Sequence, residues 1–236
     1  MPNPYHAKIC CTTNLDDARL AAEAGADFFG VVVEVDFSPR SLTIEAARSL
    51  FDAPPLPAVA LVFEMPERRI HRLIQTLKPF AVQFLGDSDR ALLKRLKSTF
   101  PETQIWQSVH LPQAGGQVEL DDLKAGVEAY LQAGVDALLL DTAAIKQGQI
   151  KFGGTGLTFD WTLAGTFMQM VPAGFPVWLA GGIDPDNVAA ALAAVDPYGI
   201  DLCSGVEARS GKKDPAKVKR LMNAIRQAST KRGEKT

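Results

Sequence analysis

A glycine-rich stretch, Lys151-Phe-Gly-Gly-Thr-Gly-Leu-Thr-Phe-Asp-Trp161, leads into a predicted helix. Gly153, Gly154 and Gly156 lack a Cβ, so the backbone there can take positive φ values and approach a ligand closely. The start of a helix presents free N–H groups, which bind anions. The stretch is typical of a phosphate-binding loop, although it also fits a glycine-rich turn in front of an ordinary helix.

Two further glycine sites strengthen the case for a phosphate. Gly181-Gly182 follows the seventh predicted strand, and Ser204-Gly205 follows the eighth. In barrels built from alternating strands and helices, the loops after these two strands commonly bind phosphate through backbone N–H groups. Three glycine sites in successive loops therefore favour phosphate binding over a coincidence of turns.

Cys10 and Asp141 are the candidates for proton transfer. Cys10 ends the first predicted strand, where a thiol can act as a general base if its pKa falls towards neutrality. Asp141 closes the apolar run Ala137-Leu-Leu-Leu, so its carboxyl group would stand at the same mouth. The alternatives are a small buried apolar residue for Cys10 and a turn cap for Asp141. A facing acid and base would suit proton transfer at a carbon next to an aldehyde or imine.

Three other polar residues follow predicted strands. Arg40 lies in Ser38-Pro-Arg-Ser41, and its guanidinium could bind a carboxylate through two parallel hydrogen bonds; a solvated surface charge is the alternative. Gln83 ends the fourth strand and is a further candidate for substrate binding. His110 ends the fifth strand, and without an identified partner we interpret it as a satisfied or solvent-facing side chain.

The elements that must position these residues alternate along the whole chain. Short apolar runs predict strands at 7–12, 28–33, 58–63, 81–84, 104–109, 137–141, 176–180 and 200–203. Amphipathic patterns predict helices at 15–24, 44–51, 66–77, 89–99, 118–133, 159–170, 185–195 and 215–228. Capping residues and first-turn prolines precede several of these helices, namely Asn14, Thr43, Ser88, Asp184, Asp214, Pro185 and Pro215.

Strict alternation of strands and helices predicts the α/β class, with parallel strands joined by right-handed crossovers. Eight units at this length predict a single (β/α)8 TIM barrel over residues 1–236. We expect a short N-terminal extension and a polar tail from about residue 229. A doubly wound open sheet is the alternative, but Cys10-Cys-Thr-Thr-Asn-Leu stands where its G-x-G-x-x-G fingerprint belongs.

Composition excludes several classes of function. The net charge is −2 with both signs mixed, which gives no case for nucleic acid or an anionic membrane. No run is long and apolar enough to span a bilayer, and the first residues do not form a secretory signal, so we expect a cytoplasmic protein. Three cysteines are too few for a disulfide framework, and no histidine stands at a zinc-site spacing. The oligomeric state stays open between monomer and homodimer.

Taken together, the motifs resemble those of the phosphoribosylanthranilate isomerase family, in order from about residue 8 to residue 225. The resemblance rests on Lys8-Ile-Cys10, Thr13-Asn14, Ala24-Gly-Ala-Asp27, Ser38-Pro-Arg40, Val82-Gln83, Leu139-Leu-Asp141, Gly153-Gly-Thr-Gly156, Thr158-Phe-Asp-Trp161, Leu179-Ala-Gly-Gly182, Cys203-Ser-Gly-Val-Glu207 and Gly211-Lys-Lys-Asp214. It implies a (β/α)8 barrel, an Amadori rearrangement in tryptophan biosynthesis and no cofactor. It also implies that Cys10 is the general base, that Asp141 is the general acid and that Arg40 holds the anthranilate carboxylate.

The chain departs from the family pattern at the predicted mouth. Cys11 replaces a usual glycine, Leu85 replaces a usual histidine, and Glu34 and Asp36 stand in a usually uncharged segment. Two added carboxylates are unfavourable beside an anionic substrate unless they point away. Two alternatives follow: a paralogue that isomerises a different phosphosugar amine, and a non-catalytic barrel that binds a phosphorylated metabolite.

Overall fold

The computed structural model describes residues 5–112, 118–146, 149–152 and 161–233. The glycine-rich stretch that contains Gly153, Gly154 and Gly156 lies outside these ranges.

Eight parallel strands close into a barrel, as the sequence predicts. The strands are β1 (His6–Ile9), β2 (Phe28–Val32), β3 (Ala58–Val62), β4 (Ala81–Phe84), β5 (Gln104–Leu111), β6 (Ala137–Lys146), β8 (Val177–Leu179) and β9 (Gly199–Leu202). Each pairs with its neighbour in the order β5-β4-β3-β2-β1-β9-β8-β6, and the β5–β6 pairing closes the ring. All carboxyl ends of these strands therefore meet at one mouth.

Within the described ranges, eight α-helices surround the barrel. They are α1 (Leu15–Ala24), α2 (Ile44–Asp52), α3 (Glu67–Leu77), α4 (Arg90–Thr99), α5 (Leu120–Gln132), α6 (Trp161–Met168), α7 (Val188–Val195) and α8 (Pro215–Gly233). Asn14 and Thr43 cap α1 and α2 by accepting a backbone N–H through their side chains, and Asp214 does the same for α8. No helix within the described ranges is long and apolar enough to cross a bilayer.

Successive side chains along each strand point to opposite faces of the barrel wall, and so they belong to two separate hydrophobic cores. In β1, Ala7 and Ile9 pack towards the helices, whereas Cys10 belongs to the cluster inside the barrel. In β6, Leu138 and Leu140 face outward and Leu139 faces inward. The same two-residue period directs Asp141 to the inner side of the mouth.

Aromatic side chains fill the amino-terminal end of the barrel interior. Trp106 and Trp178 stack with ring centroids 5.2 Å apart, and Phe28 meets each of them edge-on. This end is therefore packed solid, and the open end is the one where Cys10 and Asp141 stand.

Two hairpins were not predicted from the sequence. The strand predicted to end at 141 continues as β6 to Lys146 and forms an antiparallel hairpin with β7 (Gln149–Phe152). A second hairpin joins β10 (Glu207–Arg209) and β11 (Lys212–Lys213). Ser210-Gly211 is a turn signal between β10 and β11, but strands of three and two residues are too short to show the alternating pattern that predicts a hairpin from sequence.

Helix boundaries also move. Asp89 rather than Ser88 caps α4, and α7 starts at Val188 because Asp184 closes a tight turn onto the N–H groups of Asp186 and Asn187. α8 continues to Gly233, beyond residue 229, where the sequence suggested that a polar tail begins. Ser229 is buried there, and the Arg232 guanidinium lies over the Tyr5 ring.

Candidate active site

A cavity of about 730 Å³ opens at the carboxyl ends of the barrel strands. It contains every predicted site residue that the structure describes: Cys10, Arg40, Gln83, Asp141, Gly181, Gly182, Ser204 and Gly205. Residues that are far apart in sequence therefore meet in one pocket of a size that suits a small organic ligand.

Cys10 follows β1 and is 4% exposed. Its sulfur lies 3.8 Å from the Cys11 sulfur and 3.5 Å from the Lys8 ammonium nitrogen. The hydrogen bond from Cys11 is the main cause that lowers the Cys10 pKa, and the positive charges of Lys8 and Lys213 act in the same direction, against burial and the Asp201 carboxylate. The thiol thus has the electropositive, partly enclosed setting that favours a thiolate.

Cys11 occupies a left-handed backbone position with φ of 58°. Hydrogen bonds with Cys10 and Cys203, in that order, raise its own pKa well above the ordinary thiol value, and burial adds to them. Cys11 therefore remains protonated and donates its S–H to the neighbouring sulfur.

We expect Cys11→Gly to move the acidic limb of the pH–rate profile to higher pH. Glycine tolerates the left-handed position, so the main loss is the hydrogen bond to the Cys10 thiolate, and loss of a donor to the charged form raises a pKa. Because a thiolate base works above its pKa, activity at low pH should fall while the high-pH plateau is kept. The profile of kcat/KM measures this shift, and an unmoved acidic limb would show that Cys11 does not act on Cys10.

Asp141 lies on β6 opposite His110 of β5, and its carboxyl group is buried at the inner edge of the mouth. His110 itself does not line the cavity; its Nε2 bonds the backbone carbonyl of Leu85 at 2.5 Å. Burial lowers the His110 pKa, against the effect of that bond. His110 thus directs Nε2 to the backbone away from the cavity, and Asp141 is the carboxyl group that β6 presents to the cavity.

Arg40 is anchored by Glu207, a residue for which the sequence suggested no role. The guanidinium donates to the two carboxylate oxygens of Glu207 at 2.8 and 2.6 Å. This bond is the main cause that raises the Arg40 pKa. Burial opposes ionisation of Glu207, but Arg40, Lys213 and the Gly211 N–H together lower its pKa. Arg40 is therefore a fixed cation at the cavity wall.

Gln83 lies buried under the cavity floor with both ends of its amide engaged. Its oxygen accepts from Lys8 at 2.9 Å, and its nitrogen donates to the Ser108 hydroxyl at 3.2 Å. The arrangement fixes the orientation of the amide, so that Gln83 shapes the floor and joins a polar network inside the barrel.

The loops after β8 and β9 bring backbone groups to one side of the cavity. Gly181 and Gly182 have φ of 79° and 63°, and the side-chain amide of Asn187 holds the Gly182 carbonyl at 2.9 Å. A Cβ on Gly205 would lie 2.2 Å from the Ile183 carbonyl oxygen. Only glycine at 205 thus permits the close contact of these two loops.

In the described part of the chain, no protein acceptor receives a hydrogen bond from the backbone N–H groups of Gly181, Gly182, Ser204 and Gly205. Successive free N–H groups in a concave loop pair are the usual means of binding an anion.

A model of the N-(5'-phosphoribosyl)anthranilate isomerase family matches residues 7–224. The chain belongs to this family. The isomerase of that name from Methanocella arvoryzae is 36% identical over 222 residues, which cover 93% of this chain and 97% of the relative.

Solved isomerase structures agree with the barrel. The enzyme from Thermotoga maritima superposes with a TM-score of 0.76 at 27% identity, covering 94% of this chain and 99% of that one. A phosphoribosyl anthranilate isomerase in complex with reduced 1-(o-carboxyphenylamino)-1-deoxyribulose 5-phosphate superposes with a TM-score of 0.73 at 26% identity, with the same coverage.

Three residues that depart from the family pattern add no charge to the cavity: Glu34, Asp36 and Leu85. Glu34 turns away from the cavity and pairs with Arg69, and Asp36 is exposed; neither residue lines the pocket. Leu85 lies at the cavity wall together with Phe37 and Phe63, whose rings meet edge-on at 5.1 Å. The repulsion expected from Glu34 and Asp36 is therefore absent. Leu85, Phe37 and Phe63 form an apolar part of the wall, beside which Glu64 lines the cavity.

Most functional neighbours that the sequence missed lie inside predicted strands or beyond the last one. Lys8 and Asp201 are inward-facing strand residues, and Lys213 and Glu207 belong to the β10–β11 hairpin. Glu64 lines the cavity directly after β3, a strand end at which the sequence could have indicated it. The period of two along each strand was the available signal, since Lys8 stands two residues before Cys10.

Proposed function

We propose that this chain isomerises N-(5-phosphoribosyl)anthranilate to 1-(2-carboxyphenylamino)-1-deoxyribulose 5-phosphate in tryptophan biosynthesis. The observation that carries the proposal is that one cavity of a family member holds Cys10, Asp141, Arg40 and the paired glycine loops. An aldose-to-ketose rearrangement moves protons only, so a positioned acid and base can perform it without a cofactor.

Asp141 and Cys10 divide the proton transfers. Asp141 protonates the furanose ring oxygen, and the ring opens to a Schiff base. The Cys10 thiolate then removes the proton from the adjacent carbon, which gives an enolamine that tautomerises to the ketone. The lowered pKa of Cys10 supplies the base form, and burial of Asp141 at the mouth keeps water from competing for its proton.

The glycine loops hold the phosphate in this proposal. Gly181, Gly182, Ser204 and Gly205 lie at one side of the cavity, and Gly153, Gly154 and Gly156 follow β7 in the sequence. Binding energy from the phosphate, which does not react, positions the carbon that does.

Arg40 and the apolar wall would hold the aromatic half of the substrate. Glu207 uses two of the five guanidinium N–H groups, so three remain for an anthranilate carboxylate. Leu85, Phe37 and Phe63 give the ring an apolar side. The carboxylate would thus meet a cation that Glu207 already holds in place.

Removing the Arg40 charge is expected to weaken binding only of ligands with the ortho carboxylate. In Arg40→Met/Glu207→Gln, which leaves no carboxylate unpaired, the reduced product analogue should lose about 1.5–3 kcal/mol of binding free energy, as for a lost charge-assisted hydrogen bond. Titration calorimetry measures the binding of the analogue and of its phenylamino counterpart, which lacks the carboxylate. The difference between the two affinities isolates the contribution of the carboxylate. The matched control is Glu207→Gln, which keeps the guanidinium. Equal binding of both ligands by the wild-type protein would show that Arg40 has no carboxylate partner.

A crystal structure with reduced 1-(o-carboxyphenylamino)-1-deoxyribulose 5-phosphate tests the placement of the whole substrate. We expect the phosphate against the N–H groups of Gly182 and Gly205, the carboxylate on Arg40 and the sugar carbons between Cys10 and Asp141. A phosphate bound among side chains outside this cavity would contradict the proposal.

We also infer a cytoplasmic location and a small phosphosugar as the substrate, with no nucleic-acid or membrane partner. Phosphorylated sugars are charged and do not cross membranes unaided, so the enzymes that use them work where they are made.

A further inference from the structure

The Lys8 side chain is a fully buried ammonium directly beneath Cys10. Burial of an ammonium is unfavourable unless each donor finds a partner. The three N–H groups of Lys8 have three partners: the Asp201 carboxylate at 2.7 Å, the Gln83 oxygen at 2.9 Å and the Cys10 sulfur at 3.5 Å. The third donor is therefore directed at the atom that acts as the base in the proposed function.

We propose that Lys8 is a positioning residue for the isomerisation, and that its buried ammonium holds the Cys10 sulfur as a thiolate. The inference rests on the proposed function only in treating that thiolate as the catalytic base. Lys8 does not line the cavity, so it acts on the substrate through Cys10 and makes no contact of its own.

The surroundings fix Lys8 in this position. Gln83 is held from its other end by Ser108, and Asp201 forms an ion pair with Lys8. A Cβ on Gly30 of β2 would lie 3.0 Å from the Cys10 sulfur and 3.1 Å from Cε of Lys8. The space left by glycine at 30 is thus filled by these two side chains.

The pair with Asp201 keeps Lys8 charged. Burial opposes the ammonium, but Asp201 and then Cys10 more than compensate, so that the Lys8 pKa is raised. Asp201 also repels a thiolate at Cys10, and more strongly than the Lys8 charge alone attracts it, so the lowered Cys10 pKa depends on the Cys11 hydrogen bond and on Lys8 and Lys213 together. Such a balance predicts that the ionisation of Cys10 is sensitive to Lys8.

Other charged or titratable groups face Cys10 from every neighbouring element. They are Cys11 on the same segment, Asp201 and Cys203 at the end of β9, Lys213 and its partner Glu207 from the β10–β11 hairpin, Arg40 after β2 and Asp141 across the cavity. Lys213 donates to the Cys10 carbonyl oxygen at 2.6 Å and so fixes the backbone. Lys8 is the lysine that donates to the sulfur.

Alkylation of Cys10 by iodoacetamide tests the proposal without substrate. In a Cys11→Gly/Cys203→Ser background, Cys10 is the sole thiol, and its rate of alkylation against pH reports the thiolate fraction. We expect Lys8→Met to raise the midpoint by about one pH unit or more, as loss of a neighbouring opposite charge does. Lys94→Met, an exposed change of the same charge on α4, should leave the midpoint unchanged. Equal midpoints with and without Lys8 would overturn the proposal.

A second pair of variants covers the case in which Lys8→Met does not fold because Asp201 loses its partner. In an Asp201→Asn background neither member of the comparison contains an unpaired buried carboxylate. Adding Lys8→Met there should raise the Cys10 midpoint, and an unchanged midpoint would again overturn the proposal.

The pH profile of turnover separates positioning from a general structural defect. For Lys8→Met the acidic limb of the kcat/KM profile should move to higher pH, and the loss of kcat/KM relative to the wild-type protein should shrink above the new midpoint. An equal loss at every pH would contradict a positioning role for Lys8. If the wild-type protein lacks turnover but the alkylation midpoint still moves, the proposed function fails and the Lys8–Cys10 coupling stands.

Discussion

Cys10→Ser and Asp141→Asn are each expected to lower kcat by about 10²-fold or more, the range for losing a general acid or base. Serine at 10 cannot supply an anion near neutral pH, although a hydroxyl fits the space of the thiol. Asparagine at 141 keeps the shape of the carboxyl group, but its amide is not acidic enough to transfer a proton. Binding of a product analogue should change little, because neither change removes a contact to phosphate or carboxylate.

Steady-state kinetics and calorimetry together check this expectation. Asp52→Asn is the matched control, since Asp52 is an exposed carboxylate at the end of α2, outside the barrel. Turnover of Cys10→Ser close to that of the wild-type protein would show that another group is the base. A loss of analogue binding as large as the loss of kcat would instead indicate a damaged pocket.

Gly205→Ala is expected to raise KM by an order of magnitude or more and to lower stability. The added Cβ would lie 2.2 Å from the Ile183 carbonyl oxygen and 3.1 Å from the Asp184 Cα. These are backbone atoms that cannot rotate away, so the loops after β8 and β9 must separate. Overpacking of this kind costs roughly 1–3 kcal/mol, and it moves the N–H groups that we assign to the phosphate.

Gly126→Ala provides the matched control for that change. Gly126 lies within α5, and its added Cβ would meet nothing within 4 Å. Alanine in a helix interior stabilises by roughly 0.5–1 kcal/mol over glycine. Thermal unfolding should therefore move in opposite directions for the two variants. An unchanged KM and affinity for inorganic phosphate in Gly205→Ala would argue against a phosphate in these loops.

The barrel could be predicted from the sequence because the apolar residues of each element recur at the spacing typical of a strand or of a helix. The apolar run 137–141 ends in a carboxylate, and a parallel strand must present such a residue at the mouth. The same argument placed Cys10, Arg40 and the glycine pairs at one end of the barrel. These predictions needed only the direction of the strands, which the alternation with helices determines.

The contacts between these residues could not be predicted, since they depend on which strands face each other. Lys8 and Asp201 are 193 residues apart in sequence, and Arg40 and Glu207 are 167 apart. Each residue is an ordinary charge when considered alone. The backbone at Cys11 was not predicted either: the sequence showed only that a thiol stands where the family usually has glycine, and its φ is 58°.

The pairing of Glu34 with Arg69 shows how the two added carboxylates at the predicted mouth are accommodated. From the sequence, Glu34 and Asp36 are unfavourable beside an anionic substrate unless they point away. In the structure Glu34 takes a left-handed conformation with φ of 51° and turns towards α3, where Arg69 binds it. A single positive φ thus reverses the direction of the side chain, and the period of two along a strand cannot reveal it.

Turnover of freshly prepared N-(5-phosphoribosyl)anthranilate by the purified protein tests the central claim most directly. We expect the wild-type protein to remove the anthranilate-type fluorescence at a rate proportional to enzyme concentration, and a Cys10→Ser/Asp141→Asn double variant to show no loss above the uncatalysed background. A folded wild-type protein that binds the reduced product analogue yet leaves the fluorescence unchanged would contradict the claim that this cavity catalyses the isomerisation.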